Sequence, residues 1–411
     1  MSPITVLDSA SRPTSIAAPR VTSIDIFRGL TMAVMIFVNQ LSSVPGLPWW
    51  TYHAHADEDV MTYVDMVFPF FLFIVGMSLP ISIAQRLKRH PSLPGLWLHV
   101  LHRVAALVTL GLVLANAEKA DASRMPIGGS LWALLSLLSA ALYLSVYPAS
   151  KQFPAYAKVL RGFGLTGVAV LLAIFRRPIH DGHVAWIDPS YPEILGLIGF
   201  SYLAVSVLYI PTRRWKWAPL LWFAVLLSLC ILSTANLVPI PDGMPIYFWP
   251  FDNGAMSSIV MAGVVTSRIF LGTDRQAKPK TAIFQAIGLA VLMLIGGWIC
   301  IPLGISKIRA TPTWSMWCIG AAMLTFTLLY WICDLQKRTK WAFFVKAAGA
   351  NTLLAYLLPD LWYFLFAAVG ITYLDTHLSV GWPAVIKTAA FTVFMLALAT
   401  LLTRAKVRLQ L

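Results

Sequence analysis

The chain has 411 residues, 58% of them hydrophobic and only 12% charged, and its mean hydropathy is +0.74. A soluble globular protein of this length needs far more charge to cover its surface, so that class is excluded. The formal net charge of +14 raises nucleic-acid binding as an alternative, which the placement of the basic residues removes.

Apolar runs of bilayer-crossing length recur from end to end and predict an all-α polytopic membrane protein of about 12 transmembrane helices (roughly 10–12). The first 23 residues are polar and read as a cytoplasmic tail, and no run reads as a cleaved signal peptide. Helices are expected at about 24–43, 60–85, 97–116, 130–148, 156–176 and 192–210, then at about 215–236, 257–272, 281–304, 314–334, 342–369 and 382–403. Residues 24–403 therefore form one transmembrane domain, followed by a basic tail over 404–411. With the N-terminus inside, most of the 31 Lys and Arg fall on the inner face, including Arg86, Lys88, Arg89, Arg213, Arg214, Lys216, Arg268, Arg275, Lys278, Lys280, Lys337, Arg338 and Lys340. The outer face holds Lys119, Arg124, Arg176, Arg177, Lys307 and Arg309, while Lys387 falls within the last span. This bias places both termini in the cytoplasm. The positive balance is a topology signal, and no nucleic-acid partner is expected.

Taken in chain order, the polar residues inside or beside these runs are the functional candidates. Asp25 and Arg28 lie three residues apart on one helix face, either as an ion pair or with Arg28 meeting an anionic ligand from the cytoplasm. Asn39 lies roughly 21 Å further along that helix, near its outer end, where it either joins helices or holds a carbonyl or amine. The loop that follows carries His53, His55, Asp57, Glu58 and Asp59 with no Lys or Arg, and so faces outward. Neither imidazole has the further ligands of a metal site, but each could act as a general base. Asp65 opens the next run, where it could orient an imidazole, pair with an arginine such as Arg103, or meet interfacial water. Asp252 and Asn253 precede a helix opening with small residues and could merely cap it. Asn351, Tyr356 and Asp360 share the eleventh run, in which Pro359 should introduce a kink. The four cysteines, Cys230, Cys300, Cys318 and Cys333, lack CxxC spacing and read as packing residues, with no metal expected.

The ordered set over 23–78 resembles the heparan-alpha-glucosaminide N-acetyltransferase family and its bacterial homologues. Ser23-Ile24-Asp25-Ile26-Phe27-Arg28-Gly29 matches the opening signature, Phe37-Val38-Asn39 the end of that helix, His55-Ala56 the His-Ala pair, and Asp65-Met66-Val67-Phe68-Pro69-Phe70-Phe71 the segment after it. The chain departs from the family at Met125-Pro126-Ile127-Gly128-Gly129-Ser130-Leu131-Trp132, where a Leu-Gln-Arg motif is expected. The resemblance implies a transmembrane transferase of the cell (inner) membrane, moving acetyl from cytoplasmic acetyl-CoA to the amine of an outer amino sugar of glucosamine type. Counting back from Asp65 by the family spacing selects His55 over His53 as the active histidine, as base or as nucleophile. Asn39 would then hold the thioester carbonyl and Asp65 would orient His55. Asp25, Arg28, Asn39 and Arg103 are implied for the donor, Asp252, Asn253 and Asn351 for the acceptor, and a homodimer for the assembly. A membrane sugar transporter, an O-acyltransferase acting on surface polysaccharide, and a homologue binding CoA without turnover are the competing readings.

Overall fold

The computed structural model describes residues 21–148, 155–179, 183–248, 251–272, 278–371, 373 and 377–410. Residues 1–20 of the expected tail over 1–23, and Arg275, lie outside these residues, while Thr22 and Ser23 already belong to the first helix. The described part is a helical bundle: α1 (Thr22–Leu41), α2 (Val67–Arg89), α3 (Leu93–Asn116), α4 (Gly129–Leu144), α5 (Tyr156–Ile174), α6 (Glu193–Thr212) and α7 (Ala218–Thr234). The second half comprises α8 (Ala255–Leu271), α9 (Pro279–Ile299), α10 (Pro312–Tyr330), α11 (Phe343–Ala350), α12 (Thr352–Val369) and α13 (Gly381–Arg404). A short antiparallel hairpin, β1 (Arg177–Pro178) with β2 (Val184–Ala185), sits in the connection between α5 and α6.

Ten of the helical stretches are long and apolar enough to cross a bilayer, and α4 and α7 are apolar but shorter. All of the expected runs are therefore helical, and the chain is a polytopic all-α membrane protein. The eleventh run differs in detail. It divides at Asn351 (φ −133°, ψ 57°) into α11 and α12, while α12 continues through Pro359. Asn351 rather than the proline makes the interruption, because its side chain is committed to the end of α13. Its Nδ2 donates to Thr403 Oγ1 (3.0 Å) and to the Val407 carbonyl (2.9 Å), and its Oδ1 accepts from the Leu409 N–H (3.2 Å).

Helix starts show how distant residues supply what local sequence lacks. The first N–H groups of a helix have no partner within it. At α1 they donate to the carboxylate of Asp334, Thr22 N–H at 3.1 Å and Ser23 N–H at 3.0 Å, a negative charge at the positive end of the helix dipole. At α3, Ser92 does this locally through Oγ. Helices α2 and α8 cross in close contact. A Cβ on Gly76 would lie 1.8 Å from the Val260 carbonyl oxygen, and one on Gly263 would lie 2.0 Å from that of Phe73. Glycine at both positions lets the two backbones touch, the usual device of membrane helices, which have little hydrophobic force to hold them together. Phe27, Phe73, Phe326, Trp132 and Trp314 fill the interior and are almost wholly buried.

Candidate active site

The loop of residues 42–62 between α1 and α2 builds one end of the site around a capping box. Thr62 Oγ1 accepts from the Val64 N–H (3.2 Å), and Asp65 Oδ2 accepts from the Thr62 N–H (3.1 Å) and the Ala54 N–H (3.3 Å). These bonds hold the Asp65 side chain, 1% exposed, and leave Oδ1 for a side-chain partner. That partner is His53, with Nδ1 at 2.7 Å. An ionised carboxylate can only accept, so the proton of this contact resides on Nδ1, and in the neutral ring Nε2 carries the free lone pair. The Trp314 indole N–H donates to the backbone carbonyl of Asp65 (3.1 Å), fixing the same residue from α10.

The expected pairing of Asp65 with His55 is corrected by this geometry. His55 lies on an exposed turn, where its backbone N–H donates to Glu58 Oε2 (3.2 Å) and its carbonyl accepts from the Glu58 N–H. The bond from Ala54 N–H to Asp65 brings residue 53 to the carboxylate and sends residue 55 away from it. The expected Asp65–Arg103 alternative fails too, since Arg103 stacks its guanidinium on the Tyr202 ring, 4.6 Å from the centroid.

Lys307 completes the cluster and was read from sequence only as a topology marker. It comes from the 300–311 loop between α9 and α10, with Nζ 3.2 Å from His53 Nδ1 and 3.9 Å from Asp65 Oδ1. Burial pulls its ammonium below the usual lysine range, and the charge of Asp65 partly offsets this. Asp59 ties the two loops together by accepting from the Arg309 guanidinium and the Ile305 N–H. The Arg309 bond, with that of Ile305 behind it, holds the Asp59 carboxyl below its ordinary range.

At the opposite end of the bundle, Arg28 and Arg103 line one cavity of about 300 Å³ together with Ser78, Tyr356 and Gln410. Arg28 Nη1 contacts Asp25 Oδ1 (3.4 Å) and donates to the Gly349 carbonyl (3.2 Å), while Nη2 donates to Ser78 Oγ (2.5 Å). Arg103 Nε is buried and has no hydrogen-bond partner among the described residues. Two guanidiniums in one cavity, one with an unused buried donor, suit an anionic ligand.

Asn39 lines a second cavity of about 220 Å³, where Gln40, Glu118, Glu193, Asp360 and Tyr363 supply further polar groups. Tyr356 belongs to both cavities and donates to Glu193 Oε1 (2.7 Å). The remaining expected acceptor residues do framework work. Asp252 and Asn253 are buried in a turn with left-handed backbone at Phe251, Asp252 and Asn253. There Asp252 Oδ2 accepts from Ser257 Oγ (2.6 Å), and Asn253 bonds the Ala255 N–H and the Ala310 carbonyl. Asn351 is spent on the end of α13, as described above. The structure thus joins Asp65 to His53, joins Arg28 to Arg103 in one cavity, and leaves Asp252, Asn253 and Asn351 outside both groupings.

The family described as "Domain of unknown function (DUF5009)" matches residues 20–236, more than half of the chain. The chain belongs to the DUF5009 family. The DUF5009 region carries α1 to α7 and with them His53, Asp65, Arg28 and Arg103, whereas Lys307 and the α8–α13 segment lie beyond it. Two curated proteins share a shorter stretch. Heparan-alpha-glucosaminide N-acetyltransferase of Homo sapiens is 36% identical over 98 residues, which is 24% of this chain and 14% of the human protein. The protein of the same name from Mus musculus is 34% identical over 100 residues, with the same coverage of 24% and 14%. The chain therefore spans a small part of the length of these relatives. The partial similarity points toward a related acyltransferase family.

Proposed function

We propose that the protein is a transmembrane acetyltransferase that moves an acetyl group from acetyl-CoA to the amine of an amino sugar on the other side of the bilayer. The observation that carries this reading is the bond from His53 Nδ1–H to the buried, backbone-anchored Asp65, which leaves Nε2 as a positioned base. The role expected for His55 passes to His53. Support for the donor comes from the arginine-lined cavity: anionic groups of acetyl-CoA would meet Arg28 and Arg103, on the side where the basic loops gather. A cavity of about 300 Å³ suits the narrow arm of such a donor, leaving its nucleotide at the mouth. Asn39 and the His53 loop leave α1 at the same end, so the amide of Asn39 is proposed to hold the thioester carbonyl.

In this reading His53 Nε2 takes the proton of the attacking amine while a C–N bond forms at the acetyl carbon. The C–S bond breaks, and the thiolate leaves and is protonated. Asp65 keeps the imidazole in the useful tautomer and balances its charge as the proton arrives. The similarity to heparan-alpha-glucosaminide N-acetyltransferase supports an amino-sugar acceptor; a place in the cell membrane with His53 outside and a homodimer are part of the same proposal.

The test is transfer of labelled acetyl from acetyl-CoA to glucosamine by the purified chain. A labelled amine nitrogen supports N-acetyl transfer, a labelled oxygen supports an O-acyltransferase, and no label supports transport or binding alone. His53→Ala is expected to lower the rate by about 10²–10⁴-fold and His55→Ala by no more than about threefold. Normal turnover by His53→Ala in a working assay would sink the assignment of the base.

A further inference from the structure

The proton transfer just described makes no use of Lys307, yet this residue sets a cation against the imidazole that has to accept a proton. Its Nζ lies 3.2 Å from His53 Nδ1 and 3.9 Å from Asp65 Oδ1, with the side chain 24% exposed. The loop carrying it is fastened on both sides of the lysine. The Ile305 N–H and the Arg309 guanidinium bond Asp59, the Arg309 N–H donates to Ser306 Oγ, and the Thr311 N–H donates to the Ser306 carbonyl. Its placement is therefore built in.

One ring nitrogen cannot serve both neighbours. The 2.7 Å contact with an acceptor-only carboxylate puts the proton on Nδ1, so Lys307 faces a nitrogen with no lone pair to offer. What it brings is charge. Asp65 acting alone would draw a second proton onto the ring and close Nε2, because an anion beside an imidazole favours the imidazolium. A cation at Nδ1 has the reverse effect. We infer that Lys307 is a positioning residue for His53: its fixed positive charge opposes Asp65 and keeps the imidazole neutral, with Nε2 bare, until the amine delivers its proton. This inference rests on the reading of His53 as the base.

The other charged and titratable groups nearby do not replace Lys307. Asp59 and Arg309 are paired with each other, Glu58 is engaged by the His55 N–H, and Asp57 is exposed. From α10 the buried Cys318 lies within electrostatic range of the lysine. Even with water-like screening, two unit charges about 3 Å apart bias a protonation equilibrium by about tenfold.

The experiment measures the proton state of His53 directly. The solubilised full chain, with Lys307→Met and Lys307→Arg, is treated with diethyl pyrocarbonate between pH 5.5 and 8, and labelling at His53 is read by peptide mass spectrometry. The reagent reacts with neutral imidazole, and His53 is 38% exposed and open to it. Lys307→Met is expected to displace the pH curve of His53 labelling upward, with a loss that approaches about tenfold toward the acid end of the range and shrinks toward pH 8. Lys307→Arg should stay within about twofold of the parent, and His55 labelling should not change in either variant. Curves for Lys307→Met that superimpose on the parent would overturn the inference, as would equal losses in the Met and Arg variants. Should Lys307→Met lose its thermal transition, Lys307→Gln is read in its place. The labelling needs no acetyl transfer, so an active His53→Ala variant would dismiss the base while leaving the coupling of Lys307 to His53 to be decided separately.

Discussion

Replacing Asp65 with asparagine changes a single side-chain atom and tests the site more sharply than a truncation. Oδ2 accepts from the Thr62 and Ala54 N–H groups, so in the Asp65→Asn variant the amide oxygen must occupy that side to avoid two donor–donor contacts. The new NH₂ then points at His53 Nδ1. That nitrogen can no longer donate and must accept, which moves the ring proton to Nε2 and closes the base. The fold should tolerate the change, because the capping box persists with a neutral acceptor in place of a charged one. The expected loss is about 1–3 kcal/mol of stability, from charge-assisted bonds that become ordinary ones. Activity should fall by about 10²–10⁴-fold, the cost of removing a positioned base or holding it in the wrong tautomer. The assay is thiol release from acetyl-CoA with glucosamine as acceptor, read beside a thermal unfolding curve. A folded Asp65→Asn variant working within about threefold of the parent would refute the tautomer reasoning.

Three further outcomes follow from other parts of the molecule. Arg103→Ala should raise the KM for acetyl-CoA by about tenfold with kcat nearly unchanged, the pattern of a lost charge-assisted contact made equally in ground and transition states; a fall in kcat alone would contradict its place on the donor. Gly76→Ala forces a methyl onto the Val260 carbonyl and should cost about 1–3 kcal/mol or more, seen as a lower unfolding temperature, whereas an unchanged transition would show that α2 and α8 can separate freely. The Asp59 carboxyl is held low by Arg309, and a depressed carboxylate contributes above its unfolded value and is lost as pH falls through its folded one. Hydrogen-exchange protection of the Ile305 amide should therefore hold from pH 7 to about 5 and fade below about 4, with little change in overall stability because the pair is exposed. Protection already lost at about pH 5 would show that Arg309 does not hold the Asp59 carboxyl low.

Much of the architecture is legible in the chain because a bilayer demands long apolar helices and punishes anything else. The runs of hydrophobic residues mark the helices, and the loss of continuity at Asn351 is the main departure from them. The site is harder to read. The ten-residue spacing between His55 and Asp65 treats the loop as a ruler, whereas the partner of Asp65 is chosen by a backbone bond from Ala54 that no residue pattern announces. Thr62 and Asp65 do form a readable Thr-x-x-Asp capping box, and that signal would have shown Oδ2 to be occupied. Lys307 stands 254 residues from His53, and composition offers no link between them. Asp252, Asn253 and Asn351 illustrate the reverse case. A polar residue in a greasy run is a fair suspect, but each is consumed by a helix start or a chain end, and only the partners reveal it.

The Asp334 carboxylate beneath α1 has a consequence for how the protein is made. Helix α1 needs a residue 312 positions later to close its leading N–H groups. At ordinary synthesis rates of about 5–20 residues per second, that partner emerges roughly 15–60 s after the helix it serves. During this interval the start of α1 has to rely on water and lipid headgroups at the membrane surface. Synthesis thus carries a late latch, in which the segment following α10 fixes the start of α1 at its final depth.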